Sequence, residues 1–435
     1  MLWRMDACAE VLVVSPGLTR GAEECAGGGV APEPSMPHFG LIAAALLAAV
    51  FLLLNLVLVA LGGMVRLGGD SPVYIRGADL LRQGHLFAGR PGLWLGYASV
   101  IALWEVVGIG LRGVVATQLV AAALAGLAQY DLGRQLGGRW VGLLVALFLV
   151  ANPDIARWHT FIMTDSLYTS LVVLVAWAAH RAAERRGGWY ILAGLLVLGA
   201  GLMRPEGLLL LPLAASYWLI RALPRRGARW LAVGGVAGLF ILGVLTAPFA
   251  RAAVQFEEPL TFLQRGDIVS TYTGWLLPMP AATTPAGAGQ LGAVAEYVAR
   301  HPLATVALAG ARMGAELIHI RPFYSARHNL AVLACLLPLY LLALLGIRRV
   351  WGTSLAKWLL ALIGSHLPMA ALLGANWDGR YLLFFLPLIL VFSACELGGW
   401  LRRVELVRPW LAPPGREAGW TRRNVAAVQP RESGR

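Results

Sequence analysis

The chain has 435 residues, 58% of them hydrophobic and only 14% charged, and its mean hydropathy is +0.68, well above that of a soluble domain. Its formal charge of +13 comes almost wholly from arginine, Lys357 being the only lysine, and the arginines stand in short clusters between apolar runs. Such runs, near the ~20 residues that cross a bilayer as helix, exclude a cytosolic enzyme, a disulfide-stapled secreted domain and, because the basic charge sits where it fixes membrane orientation, a nucleic-acid binder.

In chain order, residues 1–37 read as a disordered tail of low complexity, AEECAGGGVAPEPSMP being too polar and small-residue-rich to drive its own ordering. Met36, followed at once by PHFGLIAAALLAAV, is a second candidate start. Residues 38–401 form the polytopic transmembrane domain. Spanning helices are expected at 41–65, 114–130, 138–152, 163–180, 189–203, 206–222, 230–249, 329–347, 357–374 and 380–398. Two further apolar stretches, 92–109 and 303–320, are settled by charge. The clusters Arg181/Arg185/Arg186, Arg221/Arg225/Arg226/Arg229, Arg348/Arg349/Lys357 and Arg402/Arg403/Arg408 all belong in the cytoplasm, and a single crossing by either stretch would push one cluster outside. Both are therefore expected to lie at the outer interface, with Trp94, Tyr97, Trp104 and Glu105 in one and Arg312, Glu316 and His319 in the other forming mixed faces.

The expected fold is thus an all-α integral membrane bundle of about ten spans with two extracytoplasmic interfacial helices, long outer loops at 66–113 and 250–328, and a basic cytoplasmic tail at 402–435. The expected place is the inner cell membrane, with the active face toward the periplasm or exterior. Cys8 and Cys25 lie in the leader and Cys335 and Cys395 in apolar segments, giving neither a disulfide framework nor metal-ligand spacing.

That topology gathers the chemically useful residues on the outer face. Asp70, just beyond the first span, has two readings: a general base at the mouth of the bundle, or the N-cap of a helix begun by Ser71-Pro72. Asp165 in FIMTDSLY also suits an N-cap, or a second acid that positions an acceptor or a metal. The outer turn NPDIARWHTFIMTD adds Arg157 and His159. Tyr74 follows Asp70 by one helical turn. Arg204, Arg380 and the group Arg321, Tyr324, Arg327 and His328 add a cationic set, whose arginines defy the positive-inside bias. Arginine offers phosphate a planar fork of donors; the plainer reading pairs Arg204 with Glu206 and Arg380 with Asp378.

No nucleotide-cradling GxxxxGK[ST], GxSxG, HExxH or GxGxxG stands in the sequence. Asn55, Gln118 and His366, the polar side chains at depth, suit hydrogen bonds between helices better than a proton relay.

The motifs GGDSPVYIRGADLLRQGHLF, RPGLWLG, NPDIARWHTFIMTDSLY, LMRPEGLLLLP, ARHPLATVA and DGRYLLFFLP, in this order from about Leu41 to Leu401, resemble membrane glycosyltransferases of the GT-C fold, closest to glycosyltransferase family 39 with its protein mannosyltransferase and aminoarabinose transferase relatives. The resemblance implies a polyprenyl-phosphate-sugar donor, a glycan, lipid or protein acceptor, membrane lipid around the donor tail, and inversion by a single displacement at the extracytoplasmic face. It maps the base onto Asp70 and the phosphate-holding arginines onto Arg204 and Arg380. Many relatives carry a second acid directly after the base, where this chain has Ser71. The resemblance therefore names no certain cofactor and leaves a divalent metal open. A lipid-linked glycan polymerase or ligase, and a flippase or transporter of such lipids, are the alternative readings.

Overall fold

The computed structural model describes residues 39–86, 90–222, 234–235, 259–270, 272–281 and 290–403. The expected tail at 1–37, nearly all of the expected span at 230–249 and all but the start of the basic tail lie outside the described residues. These are helical: α1 (Phe39–Gly62), α2 (Ser71–Arg82), α3 (Leu95–Val106), α4 (Leu111–Gly137), α5 (Arg139–Val150), α6 (Pro153–Ala156), α7 (Thr164–Arg185), α8 (Gly188–Met203), α9 (Leu210–Ala222), α10 (Pro259–Arg265), α11 (Gln290–Arg300), α12 (Pro302–Ile318), α13 (Ala326–Val350), α14 (Ser354–Leu373), α15 (Arg380–Leu383) and α16 (Leu386–Arg403). Extended pairing among them is confined to isolated bridges.

Among the described residues helices lie along the expected spans, and four of these helices, α1, α4, α13 and α14, are long and apolar enough to cross a bilayer alone. Helix α5 with Pro153–Thr160, bent by 49°, makes a fifth if the pair is one span. The two stretches assigned to the interface form α3 and α12, about 18 and 25 Å long at the α-helical rise, short of the ~30 Å hydrocarbon core.

The stretches 171–179 of α7 and 386–392 of α16 are apolar on every side, and such stretches belong inside a bundle: Val172, Val173, Val175, Ala176, Ala178 and Ala179 on one, and Leu388, Leu390, Val391 and Phe392 on the other, are fully enclosed. Helices α4 and α5 approach closely because small residues face each other. A Cβ at Gly142 would stand 2.5 Å from the Tyr130 carbonyl oxygen, so the pair forms the small-residue contact expected between membrane helices. The three polar residues at depth bridge elements as expected: Asn55 Oδ1 to His159 Nδ1 at 2.9 Å, His366 Nε2 to Tyr168 Oη at 3.1 Å, and Gln118, which accepts from Tyr97 Oη and donates to the His159 and Phe161 carbonyls.

One expectation fails. Arg312, Glu316 and His319 are buried, not spread over a mixed interfacial face. Arg312 donates to the carbonyls of Asp267, Ala371 and Leu372, and Glu316 pairs with Arg321. A polar stripe on an apolar helix is compatible with either a wet face or a buried polar lock, and here residues 266–270, 272–280 and 371–376 cover it.

Candidate active site

The site forms where three distant segments meet. Arg66 pairs with the turn before α7, its N–H donating to the Thr160 carbonyl and its own carbonyl accepting from Ile162, each at 2.8 Å. Ser71 Oγ fastens the same turn by donating to the Ile162 carbonyl at 2.8 Å and accepting from Gly68 N. This double attachment brings Asp70 beside Asp165, the second residue of α7. The third segment, Asn376–Arg380, enters from the end of α14.

Five charges alternate along the resulting line. Arg380 Nη1 donates to Asp70 Oδ2 at 3.1 Å and lies 3.6 Å from Asp165 Oδ2. Arg204 Nη1 stands 3.7 Å from Asp165 Oδ1 and donates to Thr164 Oγ1 at 2.9 Å, while its Nε donates to Glu206 Oε1 at 2.5 Å. The Arg204 guanidinium also lies over the Phe384 ring, 4.6 Å from the centroid. Arg204 loses hydration on burial, but Glu206 and Asp165 more than offset that and hold its charge above the ordinary arginine range. Three carboxylates against two guanidiniums leave the line with one net negative charge.

Asp70 occupies the N-cap position of α2, yet its side chain caps nothing; it turns to Arg380 and remains 35% exposed. The cap reading of Asp70 is therefore corrected in one respect: the position is a cap, the carboxylate is not. Asp165 differs. It is 1% exposed, and neither carboxylate oxygen accepts a hydrogen bond from the described residues, so its ion-pair partners among them are the two arginines, both beyond hydrogen-bond length. Its own N-cap role is absent as well, because Met163 holds that position.

Of the other candidates, Tyr74 joins the cluster, buried next to Thr164, with burial pushing its hydroxyl far above the usual phenol range. The plainer pairing of Arg204 with Glu206 is present; that of Arg380 with Asp378 is not. Asp378 N and Arg380 Nε both donate to Asn376 Oδ1, a turn that leaves the Asp378 side chain exposed. His159 is outside the cluster, packed on α1 against Asn55 and Phe51, the ordinary place of a core histidine. Arg157 reaches the Asp378 carbonyl at 3.3 Å. Tyr324 donates to the Trp377 carbonyl at 3.0 Å within a group of rings from Phe323, Trp377 and His319, and Arg327 is exposed on the first turn of α13. Sequence reading missed Thr164, Phe384 and Asn376; an oxygen or ring that touches an arginine from far along the chain leaves no local pattern.

The arrangement can do two things chemically. Asp70 can accept a proton, and each arginine keeps an Nη2 amine that makes no hydrogen bond to the described residues, free for an incoming anion. A metal fits poorly: each acid already faces a guanidinium, and among the described residues no three potential ligands converge.

Residues 96–249 match the family model of the dolichyl-phosphate-mannose-protein mannosyltransferases. The match covers helices α3–α9 and, of the acid–arginine line, Asp165, Arg204 and Glu206. Similar solved structures include the archaeal oligosaccharyltransferase AglB from Archaeoglobus fulgidus, in complex with an inhibitory peptide and a dolichol-phosphate, at 14% identity and a TM-score of 0.48 over 84% of this chain. They also include ArnT from Cupriavidus metallidurans in the apo state, at 14% identity and a TM-score of 0.33, covering 84% of this chain and 79% of that one. The chain spans about half (51%) of the AglB chain. No curated protein matches it in sequence.

Proposed function

We propose that the protein transfers a sugar from a polyprenyl-phosphate-linked donor to an acceptor hydroxyl at the outer face of the cell membrane. The observation that carries the reading is the Asp70 carboxylate, placed at a helix N-cap position without capping and held by Arg380 at the open end of a line of alternating acids and arginines.

In the reaction Asp70 takes the proton of the acceptor hydroxyl. The acceptor oxygen forms a bond to the anomeric carbon from the face opposite the phosphate, the anomeric carbon–oxygen bond breaks, and its electron pair leaves on the polyprenyl phosphate, inverting the centre. A phosphate leaving group needs cationic donors in place of a nucleophilic side chain. Arg380 and Arg204 supply them, held in register by Asp165 and Glu206. The lipid tail lies between helices, and the chain crosses the membrane ten times with both ends, including 402–435, on the cytoplasmic side. Reporters after Gly187 and Gly227 are expected to read cytoplasmic, and one between Gly287 and Leu291 exterior.

The deciding experiment is purification in mild detergent followed by mass spectrometry of the co-purified lipid. A polyprenyl-phosphate sugar is expected; a polymeric lipid-linked glycan on both substrate sites would move the protein to the polymerase class.

A further inference from the structure

Arg380 stands on a short segment whose backbone is held mainly by α12 and the turn after it, with Arg157 adding a contact to the Asp378 carbonyl at 3.3 Å. Glu316 Oε2 accepts from Asn376 N at 2.8 Å, and Glu316 Oε1 accepts from Leu382 N at 3.0 Å, so one carboxylate brackets the backbone on both flanks of Arg380. Arg321 completes the bracket. Its Nε and Nη2 donate to the Asn376 carbonyl at 3.0 and 2.6 Å, and Nη2 also donates to Glu316 Oε2 at 3.1 Å. The pair is sealed, at 1% and 0% side-chain exposure.

Between the bracketed ends the chain makes a left-handed turn at Gly379, φ +63°, directly under the His319 ring: a Cβ there would stand 1.9 Å from His319 Nδ1. A fully buried ion pair gives little net stability compared with apolar groups of the same volume. What it does supply here is geometry, because four of its hydrogen bonds end on the backbone that carries Arg380.

We infer that Glu316 and Arg321 are positioning residues for phosphate capture: through the 376–382 backbone they set the reach of Arg380 toward Asp70, Asp165 and the lipid phosphate. This rests on the proposed function, since the phosphate is the ligand that Arg380 is aimed at there. The residues touch no substrate themselves; they act by removing the freedom that a loop arginine would otherwise lose on binding.

The test is a double-mutant cycle on the purified full-length protein, with undecaprenyl phosphate in detergent as the probe and binding read by native mass spectrometry. Glu316→Gln keeps one acceptor oxygen and loses the charge. It is expected to weaken binding about tenfold, as is Arg380→Ala, while Glu316→Gln/Arg380→Ala binds no worse than Arg380→Ala alone, because coupled residues are not additive. Probe affinity in Glu316→Gln equal to that of the unsubstituted protein, or additive losses in the double variant, would overturn the inference. If Glu316→Gln fails to fold, Gly379→Ala displaces the same turn from a different contact. It is expected to weaken binding in the Arg380 background only, and His319→Ala, which makes room for the added methyl, to recover part of the loss; no loss, or a loss that persists after Arg380→Ala, overturns it. Absence of probe binding by the unsubstituted protein would instead strike the proposed function, and the inference with it.

Discussion

Helix α7 carries an acid–arginine cluster near each of its ends, and the two are built on opposite rules. Asp165 and Arg181 lie 16 residues apart, about 24 Å along the axis. Near the second end Asp131 is saturated: Oδ1 accepts from Arg134, and Oδ2 from Gln135, Trp177 and Arg181. His180 beside it uses both ring nitrogens, on Tyr217 and Gln135. At the first end Asp165 is more deeply buried and accepts no hydrogen bond from the described residues. Buried polar groups are normally satisfied, and an exception asks for an explanation. The saturated cluster ties α4, α7 and α9 together; the unsaturated one leaves Asp165 without a hydrogen bond from the described residues, which the proposed function takes as charge held in reserve for a ligand.

The sharpest way to break this comparison is Asp70→Asn. Since the Asp70 side chain makes no cap bond, and asparagine is as good a cap as aspartate, expression and thermal midpoint are expected to stay unchanged while transfer falls ~10²- to 10⁴-fold. Full activity in the variant would remove Asp70 as the base and reduce the line of charges to scaffolding.

Next in size are the arginines. Arg380→Ala and Arg204→Ala are each expected to weaken donor binding about tenfold to a hundredfold, the loss of a charge-assisted contact worth roughly 1.5–3 kcal/mol, with lysine restoring part of it. Only Arg204→Ala should also cost stability, on the order of 3–5 kcal/mol, because it strands the buried Glu206 and Asp165. Equal thermal midpoints for the two alanine variants would contradict the difference in burial.

A direct contrast between the two clusters follows. Asp131→Asn is expected to lower stability by about 1–3 kcal/mol through its several lost or weakened bonds, whereas Asp165→Asn leaves the thermal midpoint near its original value and keeps a measurable fraction of transfer. Thermal scans of both variants in one detergent decide it; a larger loss in Asp165→Asn would show that its hydrogen-bond deficit is not a reserve.

Much of this was legible in the residues. The apolar runs mark most of the described helices, and the outer ends of the expected spans singled out Asp70 and Asp165, and the arginines against the positive-inside bias Arg204 and Arg380, before any geometry. Pairings were less legible. Asp70 and Arg380 are 310 positions apart, and what joins them is backbone: the Arg66 attachment, the Ser71 hydroxyl and the left-handed turn at Gly379. Asp378 looked like the partner of Arg380 because it is two residues away, but the Asn376 side chain folds that segment into a turn that points the two apart. Glu316 and Arg312 looked like an amphipathic surface because periodicity reports which residues share a face and not what covers it.

The smallest expected effect concerns His319, whose Nδ1 accepts and donates nothing among the described residues, unlike the fully bonded His180. Burial, helped by the charge of Arg321, pushes the His319 imidazole down to about 3. Its folded pKa is therefore below that of an unfolded histidine, near 6.5. The sign follows from proton uptake: between those two values the unfolded chain holds a proton that the folded chain refuses, so the stability conferred by a neutral His319 is complete above about pH 6.5 and is lost as the pH falls toward 3. Between pH 7.5 and 5.5 the loss is on the order of 1 kcal/mol. Asparagine tolerates the left-handed backbone that His319 adopts, φ +55°, and carries no titrating proton. His319→Asn is thus expected to flatten the fall in thermal midpoint across that window, with little change at pH 7.5. An unchanged pH slope would mean that water reaches the ring, and that the turn beneath it is looser than the Gly379 contact requires.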